Sequence, residues 1–310
     1  MKKFRILICA TSLLSLVSCV DLNLNPLSEG SSKNWYSSKA EIEMSVNDFY
    51  RTEFFPIDDM LWGDDVTARN STSSIQNGTL TAENGTIANR WQNYYKGIAR
   101  ALRLLNSMDR AREVGVSEKD ITQYEGEAYF YMGYAYGMLA FHWGDAILDK
   151  TGMTLDEAYT ASRSPKADVL AYSYECLDKA AERLPLKYSG LQRATRGAAY
   201  AFKARIALYN GDFAIAADAA KKCMDLGVYK LHDNYRDLFT ASSSEELIFF
   251  FRGDVTLKKY YWAAADVQNC ITRLSGGWGG QKAPSYELIC AYPCTIYFVG
   301  NNRNFLVSLK

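Results

Sequence analysis

The stretch ATRGAAYAFKARIALYNGDFAIAADAAKKCMDLG, residues 194–227, decides the architecture. Two segments of about fifteen residues carry apolar side chains at helical spacing and are broken at Asn210-Gly211-Asp212, where turn-forming residues cluster. Alanines at 204, 216 and 220 line the expected contact faces, and Phe213 opens the second segment. Small side chains let two helix axes approach closely, so the stretch reads as a helix hairpin. One such hairpin cannot bury its apolar faces alone and needs neighbours of the same kind.

Those neighbours lie upstream. Residues 165–184 place Pro165 near a first helical turn, where a missing N–H costs nothing, and Pro185 at the stop. Residues 117–142 form a long helix with Ser117 as N-cap and Asp120 three residues on. Its body, EGEAYFYMGYAYGMLAFHWGD, sets Ala128, Gly133, Ala135 and Gly137 among large aromatics. Residues 88–112 put Trp91, Tyr94, Tyr95, Ile98, Leu102 and Leu105 on one stripe, which reads as core. Residues 38–55 carry Ile42, Val46, Phe49 and Tyr50 at the same spacing, and Ser38 with Glu41 suits a capping box. The 194–227 hairpin resembles a tetratricopeptide unit, with degenerate hairpins at 88–142 and 165–184 as its stacking partners. The fold class is therefore mainly α, a right-handed α-α superhelix of tetratricopeptide-like hairpins with a loop-rich face.

That face comes from two regions. Residues 56–87 are rich in Asn, Asp, Ser, Thr and Gly and read as a long loop or a set of turns, a length that in a compact domain is often functional. Residues 253–285 are irregular, with Trp262, Trp278 and the run GGWGG. Between them Glu246–Phe251 reads as a short strand or extended piece.

Composition narrows the chemistry. Of 35 basic residues, Lys2, Lys3 and Arg5 lie in an N-terminal segment without acids, leaving 32 against 35 acidic ones. That balance argues against a nucleic-acid partner. The seven cysteines are scattered and contain no CxxC pair, a poor basis for a disulfide framework or a zinc site. The two histidines, His142 and His232, have no nucleophile beside them and no HExxH pattern. The acidic pairs Asp58-Asp59, Asp64-Asp65 and Glu245-Glu246 are adjacent in the chain, and nothing sets a second carboxylate opposite them as glycoside hydrolysis requires. No Walker A motif or GxGxxG occurs. The expectation is a protein without catalytic residues, cofactor or metal.

Residues 1–18 combine the basic start with the apolar run ILICATSLLSLVS, shorter than the roughly 20 residues a membrane span needs. They read as a signal peptide. Leu16-Val17-Ser18 before Cys19 resembles the bacterial lipobox, which makes Cys19 the lipidated first residue of the mature chain. An ordinary signal peptide with an incidental cysteine, or a buried N-terminal helix, is the competing reading. Residues 19–37 then form a polar tether carrying Pro26 and Gly30.

Taken in order, CVDLNLNP, RWQNYYKGIARALRLLN, GEAYFYMGYAYGMLAFHWGD, the 196–231 hairpin, EELIFFF and GGWGGQKAPSYELICAY are similar to the SusD/RagB family of surface glycan-binding lipoproteins. The resemblance covers about residues 19–292, with residues 38–292 as the helical domain. It implies an outer-membrane, lipid-anchored protein whose helical scaffold docks on a SusC-like TonB-dependent transporter. The loop face then captures an oligosaccharide and delivers it to the barrel, without catalysis. The tail, residues 293–310, does not follow the family continuation, so an early end by frameshift or stop near Pro293 is expected, with an incomplete helical domain.

Sugar capture needs aromatic faces against C–H surfaces and polar groups for hydroxyls. Trp62, with Asp64, Asp65, Arg69 and Asn70 close behind it, meets that description within one loop. Trp278 among glycines and Trp262 after Tyr260-Tyr261 are further platforms. The alternative packs these indoles under their loops and leaves the aspartates capping turns. At the level of the whole molecule, two alternatives stand beside glycan capture. One is a tetratricopeptide-type scaffold lipoprotein that binds only proteins, and the other is a truncated product without function.

Overall fold

The computed structural model describes residues 35–36, 38–56, 63–68, 73–188, 193–238, 243–251, 282–291, 296–298 and 305–307. Helices dominate this set. In chain order they are α1 (Lys39–Asn47), α2 (Gly85–Leu105), α3 (Met108–Glu113), α4 (Glu118–Trp143), α5 (Leu155–Thr160), α6 (Lys166–Arg183), α7 (Arg196–Asn210), α8 (Phe213–Asp225), α9 (Tyr235–Leu238) and α10 (Tyr286–Ala291). Four three-residue strands form two antiparallel pairs. In one, β1 (Val66–Ala68) pairs with β2 (Lys282–Pro284), and in the other β3 (Ile296–Phe298) pairs with β4 (Phe305–Val307).

Local signals set the helix starts. Ser38 accepts from the Glu41 N–H at 3.3 Å and Ser117 from the Asp120 N–H at 3.2 Å, each satisfying a donor that the first turn leaves open. At the other end of α7, Gly211 sits at φ +85°, the left-handed conformation that ends a helix cheaply only for glycine. The hairpin expected at 194–227 is α7 and α8, broken at that glycine.

The 26-residue helix α4 is the axis of the fold; past its polar first turns it is buried around most of its circumference from residue 126 to 140, where the sequence is apolar and aromatic on every face. It packs against α2 on one side and α6 and α7 on the other. Glycines make these approaches possible. A methyl at Gly133 would meet Leu177 Cγ of α6 at 2.6 Å, and one at Gly137 would meet Ile206 of α7 at 2.6 Å. Aromatics fill the wider spaces. Phe49 stacks on Tyr131 at 5.8 Å, and Phe55 on Tyr134 at 4.7 Å.

Three expectations change. The helix read over 38–55 stops at Asn47 and passes through a 3-10 turn, Asp48–Tyr50, because a bend at Arg51 is what carries Phe54 and Phe55 as well as Phe49 into the core. The stripe read over 88–112 is two helices, divided at Asn106-Ser107. Residues 246–251 form turns and bends rather than a strand. Their rings have found other partners: Phe249 lies 5.3 to 5.5 Å from Phe55, Phe130 and Phe202, so the segment is anchored by aromatic packing instead of a ladder.

Candidate functional site

Among the residues expected to grip a ligand, Asp64 and Asp65 are described, and both are exposed. Trp62, Arg69, Asn70, Trp262 and Trp278 lie outside the described residues, as does Cys19.

The segment that carries the aspartates is held from two distant places. Gln76 donates its side-chain amide to the carbonyls of Gly63 and Val66, both at 2.7 Å, folding the loop back on itself. On the other side β1 pairs antiparallel with β2, Val66 opposite Pro284 and Ala68 opposite Lys282. Ser285 extends the ladder by donating its N–H to the Asp65 carbonyl at 2.7 Å, and its hydroxyl caps α10 by accepting from the Leu288 N–H at 3.2 Å. The two loop regions singled out in the sequence, far apart along the chain, therefore meet at a short sheet. Arg69 and Asn70 directly follow Ala68, whose partner is Lys282, and the GGWGG run with Trp278 leads into Lys282. Trp62 precedes the opposite end of β1.

Sequence reasoning missed a buried charge cluster on α4. Glu127 of α4 is fully buried and accepts from Tyr50 Oη at 2.6 Å, Gln123 at 3.1 Å and Arg193 at 3.1 and 3.2 Å. Tyr188 adds a longer contact at 3.4 Å, Arg193 also donates to Asn47, and the Ala194 N–H donates to Tyr50 Oη at 2.9 Å. Burial pushes the Glu127 carboxyl above its usual range, opposed by the Arg193 guanidinium and the hydroxyl and amide donors. The cluster pins the 3-10 turn, α4, Tyr188 and the Arg193-Ala194 pair to one another. Its sequence signal is weak: Glu127 is the last acidic residue of α4, where the polar first turns give way to the apolar and aromatic run 128–141.

The described histidines serve local structure. His232 donates its N–H to the Glu246 carboxylate at 2.7 Å and its ring bonds within its own turn, while His142 packs edge-on to Trp143. Among the described residues no group of three or more His, Cys, Asp or Glu is placed to hold a metal ion, and no helix is long and apolar enough to cross a membrane.

Antiparallel helix pairs stacked about α4, with a two-stranded ladder tying the loops together, define a tetratricopeptide-like scaffold that carries a loop face. The chain belongs to the SusD-like family: the family model described as starch-binding associating with outer membrane matches residues 31–208. SusD-like protein P2 of Formosa agariphila is 25% identical over 264 residues, which cover 80% of this chain and 52% of that protein. A crystallised SusD-like protein from Bacteroides fragilis superposes with a TM-score of 0.70 at 24% identity, over 87% of this chain and 56% of that one. A further crystal structure, solved with xylogluco-oligosaccharide, superposes with a TM-score of 0.64 at 18% identity, over 81% and 55% of the two chains. This chain spans about half the length of the curated relatives it matches.

Proposed function

We propose that this protein captures a complex oligosaccharide at the outer surface of the cell and delivers it to a partner SusC-like TonB-dependent transporter, without catalysing any reaction. The observation that carries this reading is the match of residues 31–208 to a starch-binding, outer-membrane-associating family. The β1–β2 ladder supports it, because Asp64 and Asp65 are exposed on a braced segment that Trp62, Arg69 and Asn70 adjoin in sequence, and Trp278 lies four residues before Lys282 of the partner strand. In this reading the indoles, with Trp262, lie against sugar C–H faces, and the aspartates, Arg69 and Asn70 bond the hydroxyls. Residues 1–18 direct export, Cys19 carries the acyl chains, residues 19–37 are the tether and residues 38–292 are the helical domain. Residues 293–310 form a tail outside it. Acyl chains hold such a protein at the membrane because each buried methylene contributes about 0.8 kcal/mol.

Affinity electrophoresis in gels containing soluble polysaccharides tests the reading. The wild-type chain is retarded by at least one glycan, and Trp62→Ala with Trp278→Ala abolishes the retardation. No retardation by any glycan, together with co-purification of a barrel protein, would instead favour a scaffold that binds only proteins.

A further inference from the structure

A cleft of about 450 Å³ is lined by none of the residues of the β1–β2 ladder. Its walls are Leu186, Lys187 and Tyr188, Arg193 and Thr195 before and at the start of α7, Val228 and Tyr229 after α8, and the irregular segment at Ser243–Glu245 with Leu247 and Ile248. That volume falls within the range of about 300–1,000 Å³ usual for ligand sites.

The chemistry of the lining is specific. Five hydroxyl side chains face the cleft: Tyr188, Thr195, Tyr229, Ser243 and Ser244. Hydroxyls both donate and accept, which matches a polyol better than a group that only accepts. The two tyrosines also offer ring faces, and both are held in place before any ligand arrives. Tyr229 bonds Thr195 through its hydroxyl at 2.9 Å and packs directly on Gly197, where no side chain could be accommodated. Tyr188 is tied to Glu127. A ring already fixed loses little entropy on binding. Charge argues against a polyanion. Arg193 lines the cleft but is neutralised by Glu127 behind it, and the rim carries one charge of each sign, Lys187 and Glu245.

We infer that this cleft is a saccharide site separate from the loop face, taking the end of a short neutral oligosaccharide between Tyr188 and Tyr229. It goes beyond the loop-face reading and stands or falls independently of it.

The experiment uses the purified chain in four forms: wild type, Trp62→Ala with Trp278→Ala, Ser243→Trp, and all three changes together. Ser243 is exposed on the rim, so an indole there fills the cleft without disturbing the core. A panel of neutral gluco-, manno-, galacto- and xylo-oligosaccharides is titrated by ligand-observed NMR, and thermal unfolding verifies that each form is folded. The double tryptophan variant keeps weak binding to at least one member of the panel, and adding Ser243→Trp reduces it about tenfold or more. Binding lost entirely in the double tryptophan variant overturns the cleft and leaves the loop face standing. Binding indifferent to the tryptophans but removed by Ser243→Trp supports the cleft and overturns the loop face. A wild type that binds nothing in the panel overturns the cleft, and the polysaccharide gels then decide the loop face alone.

Discussion

The helical stack about α4 and the loop face beside β1 are built on opposite plans. In the stack, adhesion is distributed: dozens of buried apolar side chains contact one another around glycines that let helices close up. Among the described residues of the loop face, adhesion rests on a three-residue ladder, one glutamine and one serine. The first plan gives a rigid body whose stability is set by packing density. The second gives a surface whose shape hangs on a few polar contacts, which suits side chains that must stay exposed. The Glu127 cluster combines both, because it is polar yet lies within the stack.

That cluster offers the largest effect. Arg193→Met leaves Glu127 buried without its cation, and losing one partner of a buried pair costs about 3–5 kcal/mol. Chemical denaturation at neutral pH measures it. The sign of its pH dependence separates this cause from lost packing. A carboxyl whose folded pKa is raised holds its proton more tightly in the native state, so stability falls as pH rises from the unfolded pKa, about 4.3, through the folded one. The variant's deficit therefore shrinks as the pH is lowered towards that unfolded value. A deficit independent of pH would show that Glu127 is not the source.

Next in size is overpacking of the stack. Gly133→Leu forces a side chain against Leu177 and the Ser173 carbonyl, and Gly137→Leu forces one against Ile206. Each is expected to cost about 1–3 kcal/mol or more and to lower the melting temperature. If either variant melts like the wild type, the helices are not as close as described.

Gln76→Ala tests the other plan. Each lost hydrogen bond costs about 0.5–1.5 kcal/mol, but the loss is local to the loop. Hydrogen exchange should quicken at residues 63–68 while the amides of α4 keep their protection, and binding at the loop face should weaken. A uniform loss of protection would mean that the loop and the stack share one cooperative unit.

This contrast also explains what the sequence disclosed. Helices α4, α6, α7 and α8 were legible because their signals are local: Ser117 and Gly211 punctuate them, and apolar spacing marks their faces. The ladder was not legible, since Val66 and Pro284 are joined only by the folded chain. Residues 246–251 misled because an apolar run rich in phenylalanine satisfies strand propensity and aromatic packing equally well, and Phe55, Phe130 and Phe202 decided between them. Helix α5 escaped notice although Thr154 and Glu157 form a full capping box, because the six-residue helix buries no side chain and leaves no apolar stripe. Of the candidate site, the two loop regions were readable as separate segments, and their meeting was not.

The smallest effect concerns the salt bridge that crosses from α1 to the start of α4. Lys39 Nζ lies 2.7 Å from Asp120 Oδ2, with both side chains partly solvated. The Lys39 ammonium, and then the Ser117 hydroxyl, hold the Asp120 carboxyl below the usual aspartate value. For an acid with a depressed folded pKa, the contribution is complete above the unfolded value and disappears as pH falls through the folded one. Lys39→Ala should therefore lower the melting temperature slightly at neutral pH and progressively less as the solution is acidified through that window. Solvent and salt screen an exposed pair, so added salt should narrow the difference as well. Equal melting temperatures at low salt and neutral pH would mean that the apolar contacts of Ile42 and Val46, with the Tyr124–Glu43 and Arg193–Asn47 hydrogen bonds, hold α1 on the stack without this ion pair.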